Sequence, residues 1–434
     1  MKLYSTKNKA QLFSLKEAVM KGLPADNGLF MPTEITSLPA DFFTKLKDYS
    51  FRDLAYEVAR TLIAKSAIPD EALEQIITQS INFPAPVISL SKQLHILELF
   101  HGPSLAFKDF GARFMAQTMS YFNANEDKDL VILVATSGDT GGAVAAGFYQ
   151  TPGIKVVILY PSGKVSPLQE KQLTTLGHNI TAIEIDGTFD DCQALVKQAF
   201  LDESLNQQHR LSSANSINIA RLIPQSFYYF EAYKQLEDTT TPLAFIVPSG
   251  NFGNLTAGLF ANRMGLPVQH FVAATNINDI VPNYLKTGEY SPRPSERTLS
   301  NAMDVGNPSN FSRMLDLYGS TWNNMKEKIK GFAYDDAQTE DEILRIFNDY
   351  NYVIDPHGAV GTLAHLDYQK LYPNSQSIVL ETAHPAKFLE TVDRIVPRGT
   401  IIPERLAKLA NLPKAADFLS PNFPDFKEWL LHFN

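Results

Sequence analysis

Leu130 to Ala135 reads LVILVA, six apolar residues with no polar alternation. A strand with one wet face would alternate. An unbroken apolar run fits a strand covered on both faces, as in a parallel sheet. The run passes straight into Thr136-Ser137-Gly138-Asp139-Thr140-Gly141-Gly142 and then a helical stretch at 143–148. The pattern recurs. Strands are expected at 155–160, 179–185, 243–247, 268–274 and 377–380. Helices are expected at 168–176, 189–200, 255–264, 341–350 and 358–371. Such alternation predicts an α/β fold with two doubly wound parallel-sheet domains. Ligands then bind at the carboxyl ends of the strands.

Residues 1–95 lack this alternation and read as a mostly helical N-terminal domain, with helices at 14–20, 51–62 and 69–77. The break Phe83-Pro84-Ala85-Pro86-Val87 marks its end, and a strand is expected near 95–99. Segments 96–129 and 221–390 are assigned to a large domain and 130–220 to a small one. The stretch 284–310, rich in Pro, Ser, Gly and Asn, reads as a long loop near the site. Residues 391–434 contain several prolines and are expected to pack on the surface as a tail.

Charge and motifs narrow the function. A net charge of -9, with no basic tail, argues against nucleic acid. A single cysteine, Cys192, excludes an internal disulfide and suits a reducing compartment. No run has membrane-spanning length and the start has no signal-like core, so the cytoplasm is expected and no membrane. There is no HExxH, CxxC or Gly-x-Ser-x-Gly, and no metal is expected. His101, His357 and His384 each precede Gly or Pro and read as braces of turns. The aromatic run 227–230 reads as core.

The chemistry centres on Lys108. It follows the turn His101-Gly102-Pro103 and precedes Phe110, Phe114 and Met115 at helical spacing. It therefore sits where a loop enters a helix with one face in the core. Partial desolvation there lowers an ammonium's pKa, which suits a lysine that reacts with carbonyls. Read alone, such a lysine can also simply snorkel to water. A second feature is the turn Pro248-Ser249-Gly250-Asn251-Phe252-Gly253-Asn254 between a strand and a helix. Its backbone N–H groups form an anion site, although it contains no lysine or arginine. It matches neither the P-loop nor the dinucleotide fingerprint.

The stretch HGPSLAFKDFG, 101–111, closely resembles the lysine motif of the pyridoxal-phosphate-dependent threonine synthases. The resemblance runs over most of the chain and implies PLP fold type II. It implies that Lys108 is the catalytic lysine, bound to pyridoxal 5'-phosphate as the internal aldimine. It implies that Gly250, Asn251, Phe252, Gly253 and Asn254 hold the cofactor phosphate. Ser137, Gly138 and Thr140 then hold the substrate α-carboxylate. Asp139 lies beside the cofactor's 3'-oxygen, which leaves open whether a proton is shared there. Thr382, in ETAHPAKF, faces the pyridine nitrogen; a hydroxyl there does not demand a protonated ring. Ser216, Asn218 and Arg221, in NSxNxxR, with Lys387, are expected to hold the substrate phosphate. The pattern NAMDVGNPSN, 301–310, is also familiar from the family, without assigned roles. The implied reaction is O-phospho-L-homoserine and water to L-threonine and phosphate, by a monomer or homodimer. The alternatives are a serine/threonine dehydratase, another PLP β-replacement enzyme, or a non-catalytic binder of a phosphorylated metabolite.

Overall fold

The computed structural model describes residues 1–136 and 138–433. Ser137 therefore lies outside the described residues. Two sheets organise the molecule. The larger runs Ile329–Ala333, His270–Thr275, Leu243–Pro248, Gln376–Glu381, Leu94–Glu98 and Val87–Ser89, in that spatial order. Its pairs are parallel except the edge strand Val87–Ser89. The smaller runs Asp417–Leu419, Ile180–Ile185, Ile154–Pro161, Leu130–Ala135 and Arg210–Ser213, all parallel. Central strands such as Leu243–Pro248 are buried throughout, as their unbroken apolar sequence requires. The run Phe227, Tyr228, Tyr229 and Phe230 is fully buried.

The N-terminal region contains the helices Leu15–Lys21, Phe51–Leu62 and Asp70–Ser80. Ser14 caps the first, with Glu17 closing a capping box. The sequence reading missed one element here. Lys2–Ser5 pairs antiparallel with Asn8–Ser14 and with Phe30–Pro32. Only Phe13 of Asn8–Ser14 is buried, so this edge strand has no apolar alternation to detect.

The end of the chain departs further from expectation. It is not merely a surface tail. Leu406 is buried against Leu105 and Ala386. Asp417–Leu419 adds an edge strand to the smaller sheet. Phe426 and Leu430, one helical turn apart, are fully buried in that sheet's core. The prolines mark turns between these pieces and masked their apolar spacing. No helix of the described residues is long and apolar enough to cross a membrane.

Candidate active site

Register places the site. Glu381 pairs with Glu98 and Val379 with Ile246, so three neighbouring strands end along one edge of the larger sheet. Those ends deliver the 99–107 loop, the 248–254 turn and Thr382. Past the strands, the loop and the 382–384 segment remain zipped. Leu99 N–H donates to the Glu381 carbonyl (3.0 Å), Phe107 N–H to the Thr382 carbonyl (2.9 Å) and His384 N–H to the Leu105 carbonyl (3.0 Å). Ala106 and Ala383 form an isolated bridge. Lys108, the first residue of the helix Lys108–Asn123, is thereby fixed beside Thr382.

The turn before Lys108 is tightly built. Leu105 is left-handed, with φ 60°. Asp109 is fully buried and accepts the Ser104 N–H at 2.8 Å. A Cβ on Gly102 would lie 2.4 Å from Asp109 Oδ2, so only glycine fits. Burial pushes the Asp109 carboxyl up to about 6 against these hydrogen bonds.

Lys108 faces a carboxylate and two cations. Its Nζ is 3.9 Å from Asp139 Oδ2, and its side chain is 18% exposed. Desolvation pushes the amine down to about 8, with Lys387 and Arg221 helping and Asp139 opposing. Asp139 opens the helix Asp139–Phe148 at the end of strand Leu130–Ala135. Its Oδ1 takes Lys387 Nζ at 2.5 Å and Gln169 Nε2 at 2.9 Å. Burial works to raise its pKa, but Lys387, Lys108 and the hydrogen bonds outweigh it, and the group stays well below the usual carboxylate range. These neighbours favour the carboxylate form of Asp139.

The 248–254 turn is an amide cradle. Phe252 is left-handed, with φ 58°, and caps the helix Gly253–Arg263 without a side-chain bond. Asn254 folds its amide back onto the Pro248 carbonyl (2.8 Å) and accepts from Leu255 N–H (2.9 Å). Asn251 Oδ1 accepts the Ser309 N–H at 2.8 Å. The asparagines thus shape the turn, while the backbone N–H groups of Gly250 to Asn254 find no acceptor among the described residues. A Cβ on Gly253 would sit 3.5 Å from Asn310 Nδ2 and 4.0 Å from Gln225 Nε2, so two side-chain donors flank the same point. This donor set fits a phosphate monoester. The helix start at Asp139 has the same character on a smaller scale. Thr136 Oγ1 accepts the N–H groups of Gly138 (3.0 Å) and Gly141 (2.8 Å), leaving those of Asp139 and Thr140 without a described acceptor.

Sequence comparison decides the family. The description "Threonine synthase N terminus" matches residues 2–81, "Pyridoxal-phosphate dependent enzyme" residues 80–381, and "Threonine synthase, C-terminal" residues 358–428. The threonine synthase of Escherichia coli (strain K12) is 46% identical over 435 residues, covering 100% of both chains. This chain belongs to the threonine synthase family. The crystal structure of threonine synthase from Escherichia coli superposes with a TM-score of 0.90 at 44% identity, covering 99% of each chain. The pyridoxal-phosphate-bound threonine synthase from Brucella melitensis gives 0.93 at 32% identity, covering 100% of this chain and 99% of that one.

Within this member of the threonine synthase family, the residues expected to hold the substrate phosphate separate. Arg221 is buried near Lys108, and among the described residues it makes one hydrogen bond, Nη1 to the Ala214 carbonyl (2.8 Å), with its Nε unpartnered. Burial pushes its guanidinium down to about 10. Ser216 Oγ accepts from Asn251 Nδ2 at 3.4 Å. Asn218 does not join them. It is fully buried, its Nδ2 donates to the Val19 carbonyl (2.8 Å) and its Oδ1 caps Ala220 N–H (3.0 Å). Both ends are spent on structure. Lys387 is likewise taken up, by Asp139 and by the Ser104 carbonyl at 3.2 Å. Thr382 is buried and its hydroxyl makes no hydrogen bond to the described residues. Sequence reading missed Gln169, Asp109, Gln225 and Asn310. Gln169 reaches the site from a distant helix, whereas Asp109 and Asn310 stand inside the 101–111 and 301–310 stretches and Gln225 one turn past Arg221, with nothing in the sequence to mark what they bond.

Proposed function

We propose that this crevice performs the threonine synthase reaction, O-phospho-L-homoserine and water to L-threonine and phosphate, with pyridoxal 5'-phosphate. The observation that carries the reading is the pairing of Lys108, an amine lowered to about 8, with the amides of the 248–254 turn, which find no acceptor among the described residues. Gly250, Asn251, Phe252, Gly253 and Asn254 would hold the cofactor phosphate through their N–H groups. Thr382 would offer its free hydroxyl to the ring nitrogen. When bound, the cofactor supplies the electron sink that stabilises negative charge beside the substrate Cα.

The chain's own residues do the rest. Lys108 Nζ is neutral in a useful fraction near pH 7–8 and takes and returns protons at the substrate carbons. The Asp139 and Thr140 amides, with Gly138, would orient the α-carboxylate; Ser137, expected to join them, lies outside the described residues. Arg221, with Ser216, would take the leaving phosphate. An unsaturated guanidinium buried near Lys108 favours a phosphorylated substrate over serine, which needs no second anion site. The reading takes the enzyme as a monomer or homodimer. A reducing cytoplasm suits the single buried Cys192.

The test is turnover with O-phospho-L-homoserine against L-serine and L-threonine. Release of phosphate and threonine from the first alone supports the reading. Release of ammonia from serine or threonine at comparable kcat/KM overturns it in favour of a dehydratase.

A further inference from the structure

The 248–254 turn has no lysine or arginine, yet a cation lies one side chain behind it. Arg313, in the helix Phe311–Leu317, is fully buried. Its hydrogen bonds all go to uncharged groups. Nε and Nη2 donate to the Phe30 carbonyl (3.2 and 3.0 Å), Nη2 also to the Ile217 carbonyl (2.7 Å), and Nη1 to Asn310 Oδ1 (2.8 Å). No carboxylate lies within ion-pair distance among the described residues, and burial alone acts on the pKa of Arg313. Burial pushes the guanidinium down to about 9, which still leaves it charged at neutral pH. A buried cation without a counter-charge is a standing cost to the fold.

Its field has one evident outlet. Asn310 is fully buried and faces both ways. Its Oδ1 takes the guanidinium, and its Nδ2 donates to the Asn251 carbonyl at 3.0 Å. That same Nδ2 is the nearest atom to a Cβ placed on Gly253. A cation pulling on the carbonyl end of an amide makes its N–H end a stronger donor. The charge is thus passed to the mouth of the cradle without a charged side chain entering it. A lysine would not serve, because the planar fork is what reaches three acceptors at once.

We propose that Arg313 is a positioning residue for anion binding, supplying through Asn310 the positive charge that the 248–254 turn lacks. The anion bound at the turn is then its missing counter-charge. The proposal rests on reading that turn as the cofactor-phosphate site.

The experiment titrates cofactor-free enzyme with pyridoxal 5'-phosphate and, separately, with pyridoxal, which has no phosphate. Both react with Lys108 and both are followed by visible absorbance. The ratio of the pyridoxal Kd to the pyridoxal 5'-phosphate Kd, compared between variants so that pyridoxal's own hemiacetal formation cancels, isolates the phosphate contribution from the lysine chemistry and from general folding. Arg313→Met and Asn310→Asp should each lower the wild-type ratio by about tenfold or more, as expected for losing charge-assisted hydrogen bonds. Pyridoxal affinity should not change. Asn310→Asp is nearly isosteric and hands Arg313 an internal carboxylate, so it decides the matter if Arg313→Met does not fold. An Asn310→Asp enzyme with the wild-type ratio, or one weakened equally toward both compounds, overturns the proposal and leaves Arg313 a structural role. A wild-type ratio no greater than pyridoxal's hemiacetal formation alone produces overturns instead the assignment of the turn.

Discussion

Lys387 Nζ lies 2.5 Å from Asp139 Oδ1, with the lysine side chain 1% exposed. This pair sets the charge around Lys108, because Asp139 raises and Lys387 lowers the pKa of the same amine. Gln169 keeps the carboxylate in place from the smaller-sheet side. A carboxylate beside a phenolate oxygen would repel it; with Lys387 attached, the pair is close to neutral.

The two partners should therefore shift Lys108 in opposite directions. Asp139→Asn removes an opposing charge and should lower the Lys108 pKa from about 8, while Lys387→Met should raise it, each by roughly one unit. The pH dependence of the rate at which cofactor-free enzyme reacts with pyridoxal gives the midpoint directly. Shifts in the same direction would show that the pair acts through packing and not through charge.

Gly250 holds the cradle against the 301–310 loop. A Cβ there would lie 2.8 Å from the Ala302 carbonyl and 2.9 Å from Met303 Cα. Both neighbours are backbone and cannot swing aside. Gly250→Ala should lose about 1–3 kcal/mol of stability from overpacking and retain the cofactor poorly on dialysis. Thermal unfolding and residual absorbance after dialysis measure the two effects. A variant with wild-type Tm and full cofactor retention would mean that the loop yields freely.

Arg221→Ala should lower kcat/KM for O-phospho-L-homoserine by the equivalent of about 1.5–3 kcal/mol, the range for a hydrogen bond to a charged group. Inhibition by free phosphate should weaken in parallel. Visible absorbance should persist, since the 248–254 turn is untouched. Unchanged phosphate inhibition would move the second anion site elsewhere.

Asp109 gives stability a pH signature. Burial raises its pKa to about 6, above the value near 4 of an unfolded chain. Between those values the folded state binds more protons, so stability falls as pH rises through that window, by roughly 2–3 kcal/mol. Asp109→Asn keeps an acceptor for Ser104 N–H and cannot ionise. Its Tm, compared with wild type at pH 4.5 and at pH 7.5, should gain relative stability at the higher pH, with pH values chosen around that window. An identical pH profile for both proteins would exclude the titration.

Much of the fold was legible in the sequence because central parallel strands are unbroken apolar runs. LVILVA, and the FIV within Leu243–Pro248, cannot be read otherwise. Edge strands were not. Asn8–Ser14, Arg210–Ser213 and Asp417–Leu419 bury few of their residues and have composition no different from loops. Lys108 and the 248–254 turn stand out in the sequence because a lysine at a loop-to-helix junction and an amide-rich turn are local features, whereas Asp139 and Thr382 are marked only by the family resemblance. Asn218 and Lys387 were misread for the converse reason. A polar side chain at the right sequence distance carries no mark of whether its hydrogen bonds are already spent, and both partners here, Val19 and Asp139, are remote in sequence.

The zipper between Leu99–Phe107 and Glu381–His384 has a consequence for how such a chain can change over time. Leu105 and Phe107 are each bonded across to a specific backbone partner, so one inserted or deleted residue in either segment would slide Lys108 past Thr382. Descent with altered substrates is then channelled away from these two stretches. Length is freer to vary in a segment such as 397–403, whose residues are mostly solvent-exposed and lie outside the zipper, where a change leaves the spacing between amine and hydroxyl undisturbed.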